Sequence, residues 1–126
     1  MILQKLFWFA FAGAVGTVAR YGMAGLVQRL IGAAFPWGTL IVNVIGCFAA
    51  GLLWTLFENR IPVSHQTRLL ILVGFMGAFT TFSAYILETS HLIKAAAWFP
   101  ALSHILLQNL FGFVGLFAGF ACARWS

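Results

Sequence analysis

Acid is almost missing from this chain: Glu58 and Glu88 are its only carboxylate side chains, and charged residues of both signs make up 7% of 126 residues. Soluble domains carry roughly a quarter charged residues, so a water-soluble globule is excluded. Proline is nearly absent too, with Pro36, Pro62 and Pro100 the only three, each beside the end of an apolar run, where a helix stops or starts. Cysteine is limited to Cys47 and Cys122; both lie inside apolar stretches, where they are expected to pack as small hydrophobes and not to form a disulfide. His65, His91 and His104 fall into no HExxH or paired-cysteine pattern, which argues against a catalytic zinc site. No nucleophile-plus-base constellation is visible either, and the chain is not expected to be an enzyme. The seven Lys and Arg give a net charge of +5, but they are spread singly, not as the basic stripe that nucleic-acid binding requires. Single basic residues beside long apolar runs are what lipid headgroups select.

What the chain does have is hydrophobic length. Residues of the hydrophobic class make up 63% of the sequence, and a helix needs about 20 mostly apolar residues to cross the hydrocarbon core. Four runs meet that length, at about 3–27, 37–57, 69–88 and 101–122. The expected fold is therefore an all-α integral membrane protein, one domain over 1–126 with no soluble domain outside the membrane. Lys5 ahead of the first run has the look of a signal peptide's basic start, but three further runs follow, so the first is expected to be a retained span. Trp8, Trp37, Trp54, Trp98 and Trp125 lie mainly near span ends, as the interfacial aromatic belt requires. Four spans place Lys5, Arg60, Arg68 and Arg124 on one side, and Arg29, Lys94 and the inward-lying Arg20 toward the other. That bias is too weak to fix one orientation, and insertion in both orientations is expected. Small residues at Gly46 and Ala50, Cys47 and Gly51, and Gly115 and Gly119 keep the four-residue spacing that lets helices approach closely.

An uncompensated polar group in hydrocarbon costs several kcal/mol, so each one inside a span needs a partner or a task. The densest set is on the third run, where Gly74, Gly77, Thr80, Thr81 and Ser83 interrupt an apolar helix. Gly weakens a helix by about 1 kcal/mol and Ser or Thr can bend it. Both a broken helix, whose freed carbonyls would suit a cation, and a continuous helix with its hydroxyls bonded to the preceding turn are compatible with this composition. Phe79, Phe82 and Tyr85 follow at intervals of three and share a face. This is the pattern of ordinary packing, and also of a row of electropositive ring edges able to meet a small anion. Asn43 sits mid-span on the second run as an amide donor or an interhelical bond. His104 and Gln108 lie one turn apart on the fourth, with Asn109 beside them, as a pore wall or a buried network. Arg20 must snorkel or face an aqueous vestibule. Glu58 and Glu88 both fall at the ends of the expected spans, which leaves the membrane centre without an acid.

Three motifs coincide in order and spacing with one family. Gly13, Gly16, Arg20 and Tyr21 form GxxGxxxRY; Gly38, Thr39, Asn43 and Gly46 form GTxxxNxxG; Gly74 through Ser83 read GFxGxxTTFS. Together they resemble the Fluc (CrcB) family of microbial fluoride channels, across all four spans. The resemblance implies a dual-topology antiparallel homodimer in the bacterial inner membrane, among lipids, with two fluoride pores. It implies a structural Na⁺ at a break in the third span, held by backbone carbonyls of Gly77 and Thr80 from each subunit. Pore roles carry over to Asn43, Phe82 and Tyr85, with Thr81 and Ser83 nearby, and more loosely to His104 and Gln108, with Arg20 in a vestibule. Two features depart from the family pattern: Tyr85 stands where Phe is usual, and His104 and Gln108 stand where the fourth span tends to present hydroxyls. The implied function is passive export of fluoride. The competing class is a small proton-coupled transporter, of hydrophobic cations or exchanging fluoride for protons, which needs a mid-membrane carboxylate. A non-transporting subunit would leave the polar third span without a purpose.

Overall fold

A computed structural model describes residues 1–126. It is all helical, and four of its helical segments are long and apolar enough to cross a membrane: Ile2–Ile31, Trp37–Asn59, His65–Lys94 and Trp98–Trp125. The first, second and fourth are uninterrupted helices, here α1 (Ile2–Ile31), α2 (Trp37–Asn59) and α6 (Trp98–Trp125). The third is composite. A short helix α3 (His65–Leu69) runs into a π-helical stretch (Leu70–Phe75), then α4 (Met76–Phe79), and after two non-helical residues α5 (Phe82–Lys94).

The turns between spans are held by polar side chains at the apolar boundaries. The Gln28 amide at the end of α1 donates to the Phe35 carbonyl at 2.8 Å and accepts from the Gly38 amide at 3.1 Å, which ties the first loop to the start of α2. Between α2 and α3, Arg68 donates to the Phe57 carbonyl at 2.7 Å with its guanidinium 5.8 Å from the centre of the Trp54 ring. A cation is thus placed on the carbonyl end of α2, where the helix dipole favours it. Ser64 caps α3 by accepting from the Thr67 amide at 3.1 Å.

Helix α2 packs against α6 more extensively than any other two elements pack, and the small residues make this possible. A β-carbon on Gly51 would collide with the Leu116 carbonyl, one on Gly119 with the Phe48 carbonyl, and one on Gly115 would lie 2.9 Å from the Val44 oxygen. Close backbone approach of this kind replaces the hydrophobic drive that lipid removes. Helix α1 lies against the π-helical stretch and α4, with Gly16 against the Phe75 carbonyl. A small core of Val42, Met76 and Phe79 joins these layers.

Only 19 of the 126 residues are buried, and the outward faces carry Phe7, Phe11, Val18, Phe113 and Phe117, each more than half exposed. In water so large an apolar surface would drive aggregation; against lipid chains it is what a multi-pass membrane protein presents.

Candidate functional site

The site is built around the residues between α4 and α5. Thr80 (φ −84°, ψ 160°) and Thr81 (φ −149°, ψ 122°) are extended, and the local hydrogen bonding changes accordingly. In an uninterrupted α-helix the amides of Thr81, Phe82 and Ala84 would serve the carbonyls of Gly77, Ala78 and Thr80. Here the Thr81 amide donates to Asn43 Oδ1 at 2.8 Å, and the Ala84 amide donates to Thr81 Oγ1 at 3.2 Å as the N-cap of α5. The Ala78 carbonyl accepts from Arg20 Nε at 3.1 Å. Gly77 and Thr80 are thereby left with carbonyl oxygens deprived of their usual helical donors. These are the available oxygen ligands for a hard cation; His, Cys and Glu side chains form no cluster able to hold a metal. Thr80 turns its hydroxyl back onto the Met76 carbonyl at 3.0 Å.

From Thr81 a continuous polar line crosses three helices. Asn43 Nδ2 donates to the Thr81 carbonyl at 2.9 Å and to Gln108 Oε1 at 3.0 Å. Gln108 Nε2 lies 3.0 Å from His104 Nε2, and His104 Nδ1 lies 3.1 Å from Thr89 Oγ1. The Thr89 hydroxyl donates to the Tyr85 carbonyl at 2.7 Å. His104 is fully buried and meets two aromatic rings edge to face, its ring centre 5.2 Å from that of Tyr85 and 5.4 Å from that of Phe35.

Glu88 requires a correction. The expected third span ended at this residue, whereas the helix α5 continues about one and a half turns past it to Lys94, so the carboxylate sits on the body of the helix and not at its end. Its Oε1 accepts from the Thr39 hydroxyl at 2.7 Å. Its Oε2 is buried without a hydrogen-bond partner and lies 3.9 Å from His104 Nε2. Glu58, by contrast, is exposed at the end of α2.

Two cavities meet this polar line. One, of about 390 Å³, is lined by Asn43, Gly77, Thr80, Thr81, Phe82, Tyr85, Gln108 and Asn109 among others. The other, of about 710 Å³, is lined by Arg20, Arg29, Thr39, Thr81 and Glu88 among others. Thr81 borders both. The structure thus brings Asn43, Thr81, Phe82, Tyr85 and Gln108 to one cavity and Arg20 to the other. Ser83 is exposed and lines neither; its hydroxyl lies 3.5 Å from Thr81 Oγ1. His104 also lines neither and reaches the first cavity only through Gln108. The rings of Phe82 and Tyr85 meet edge to face at 5.6 Å; Tyr85 is buried, and Phe82 stands 74% exposed on the protomer surface.

Three members of this site, Thr39, Glu88 and Thr89, were not singled out by sequence reasoning as site residues. Spacing held the signal for each. Thr39 is one helical turn from Asn43, and Glu88 and Thr89 continue the face that carries Phe82 and Tyr85.

The chain is similar over nearly its whole length to proteins named Fluoride-specific ion channel FluC. That of Desulforapulum autotrophicum is 55% identical over 121 residues, covering 96% of this chain and 97% of the relative. That of Nitrosococcus oceani is 48% identical over 121 residues, with 96% and 97% covered. That of Solidesulfovibrio magneticus is 45% identical over 123 residues, with 98% of each covered. With residues 7–120 matched by the family described as CrcB-like protein, Camphor Resistance (CrcB), and the motifs of that family gathered around Thr81, this chain belongs to the CrcB family.

Proposed function

We propose that this protein is a fluoride-selective channel that lets cytoplasmic fluoride leave passively across the bacterial inner membrane. The observation that carries the reading is the meeting of two cavities at Thr81, where amide and hydroxyl groups share the lining with the Phe82 and Tyr85 rings. Fluoride is small and strongly hydrated, so a pore that passes it must replace lost water with several donors, none binding so tightly that the ion stays. Ring edges add weak positive charge without a formal cation, and the Arg20 guanidinium in the wider cavity raises the local anion concentration. The names of the relatives support the choice of fluoride among anions.

The first cavity opens on the face of the protomer where Phe82 projects. Its closure by a second copy in antiparallel orientation is part of this proposal, and the weak charge bias of the loops supports it. A Na⁺ at the dimer centre fits the donor set: the Gly77 and Thr80 carbonyls have lost their helical donors, and oxygen-only ligation suits a hard monovalent cation. When bound, such an ion supplies positive charge that ties the two copies together.

Glu88 supports a second reading, in which fluoride leaves in exchange for protons. A half-buried carboxylate near an imidazole, on a helix long enough to cross the membrane, is the kind of group that proton-coupled transport uses. Liposomes containing only this protein separate the two: a channel releases fluoride without a proton gradient, and an exchanger requires one.

A further inference from the structure

We infer that His104 is a positioning residue: locked by Thr89 in its Nδ1–H tautomer, it aims one Gln108 N–H into the first cavity, and that hydrogen is the amide donor offered to a permeating anion. The inference rests on the channel reading and adds to it which amide acts and what holds it.

Main-chain groups anchor both ends of the polar line and demand the same direction of donation. At one end, the Thr81 amide must donate to Asn43 Oδ1 and the Thr81 carbonyl must accept from Asn43 Nδ2, so the Asn43 amide has a single orientation. Its second N–H then points at Gln108, which must present Oε1 and turn Nε2 toward His104 Nε2. That ring nitrogen must therefore be an acceptor. At the other end, the one hydroxyl hydrogen of Thr89 is used on the Tyr85 carbonyl at 2.7 Å, so Thr89 can only accept from His104 Nδ1. The two ends assign the same tautomer independently, the neutral ring with its proton on Nδ1.

The accounting has a consequence for the pore. Asn43 lines the cavity, yet both its N–H groups are occupied, by the Thr81 carbonyl and Gln108. Gln108 also lines the cavity and uses one N–H on His104; its second N–H has no acceptor within the protein. Were the ring to carry its proton on Nε2, the form an unconstrained histidine prefers, Gln108 would have to reverse. Its carbonyl would then face His104, and its amino group would meet that of Asn43. Thr89 is buried and lines neither cavity, so it acts on permeation only indirectly, through the ring it holds and the Tyr85 carbonyl it bonds.

The test uses the full chain in lipid bilayers with ¹⁵N-labelled histidine and with His65→Gln and His91→Gln, both at exposed positions, so that His104 is the only imidazole. Solid-state ¹⁵N spectra at neutral pH are expected to show a protonated Nδ1 and an unprotonated Nε2; a protonated Nε2 overturns the inference. Thr89→Val keeps the side chain's shape and removes both the acceptor for His104 Nδ1 and the donor to the Tyr85 carbonyl, and the ¹⁵N tautomer readout separates the first loss from the second. The substitution is expected to move the proton toward Nε2 and lower fluoride efflux about tenfold, the scale of one hydrogen bond to a charged group, while Thr89→Ser keeps both wild-type values. Unchanged efflux in a folded Thr89→Val protein refutes the positioning role even if the tautomer is as assigned. Absence of fluoride efflux from the wild-type chain would instead remove the channel reading and leave the tautomer result standing.

Discussion

Replacing Asn43 with aspartate changes little in size and much in sign. Of the three hydrogen bonds Asn43 makes, the one from the Thr81 amide at 2.8 Å survives, because a carboxylate accepts it. The two donations, to the Thr81 carbonyl at 2.9 Å and to Gln108 Oε1 at 3.0 Å, become oxygen facing oxygen. Each lost bond removes about 1 kcal/mol of support. A negative charge also now lines the cavity an anion must enter. At a separation of about 6 Å and an effective dielectric constant of about 20, repulsion of fluoride is about 3 kcal/mol, or roughly a hundredfold in occupancy. Fluoride efflux from proteoliposomes, followed with a fluoride electrode at pH 7.5 or so, is therefore expected to fall about a hundredfold or more. The sign of the pH dependence follows from the charge. The carboxylate is ionised and repulsive above its pKa; below it the neutral acid regains one O–H donor, so efflux should recover in part as pH is lowered. Efflux within threefold of wild type at the higher pH, from protein that elutes at its normal size, would refute the placement of Asn43 on the permeation path.

Helix packing and the cation yield two further predictions. Gly119→Ala pushes a methyl group into the Phe48 carbonyl and the Leu52 amide and is expected to lower the stability of the folded protein in detergent by about 1–3 kcal/mol. Gly112→Ala, whose added carbon meets only Cys47 Sγ at 3.7 Å, should be neutral or slightly stabilising in the same denaturation series, because alanine favours helix by about 1 kcal/mol over glycine. Exchange of all Na⁺ for a bulky organic cation should slow fluoride efflux at least tenfold, with recovery when Na⁺ is returned; equal rates in the two media would contradict a cation at Gly77 and Thr80.

Hydrophobic length made the spans readable. Four runs of apolar residues have few other physical outcomes, and the helices fall on those runs. Their ends were less visible: α1 and α6 extend beyond the expected bounds, and the third segment starts at His65 and continues to Lys94. Polar residues such as Gln28, Arg68 and Glu88 do not end these helices. Arg68 bonds to the carbonyl end of the neighbouring helix, and Gln28 clasps the next loop. Reading Glu88 as a boundary mark left its contacts out of view, because a charge near the end of an apolar run looks like a stop until a partner such as Thr39 is known. The polar composition around Gly74, Thr80 and Thr81 marked the site, but which residues leave the helix depended on a distant one. Gly74 and Gly77 stay helical, and the extended pair is the one whose backbone Asn43 pairs with. His104 and Gln108 were visible as a pair at helical spacing. That one is buried and the other lines a cavity is set by the neighbours Phe35, Tyr85 and Thr89, which no local pattern on α6 encodes.

Fluoride release from liposomes containing only the purified protein tests the account most directly, with chloride-loaded vesicles run alongside. The account predicts fast fluoride efflux with no imposed proton gradient, chloride being retained. Efflux that appears only with a proton gradient would shift the mechanism to exchange through Glu88 and His104, and release of neither ion would contradict a transport function.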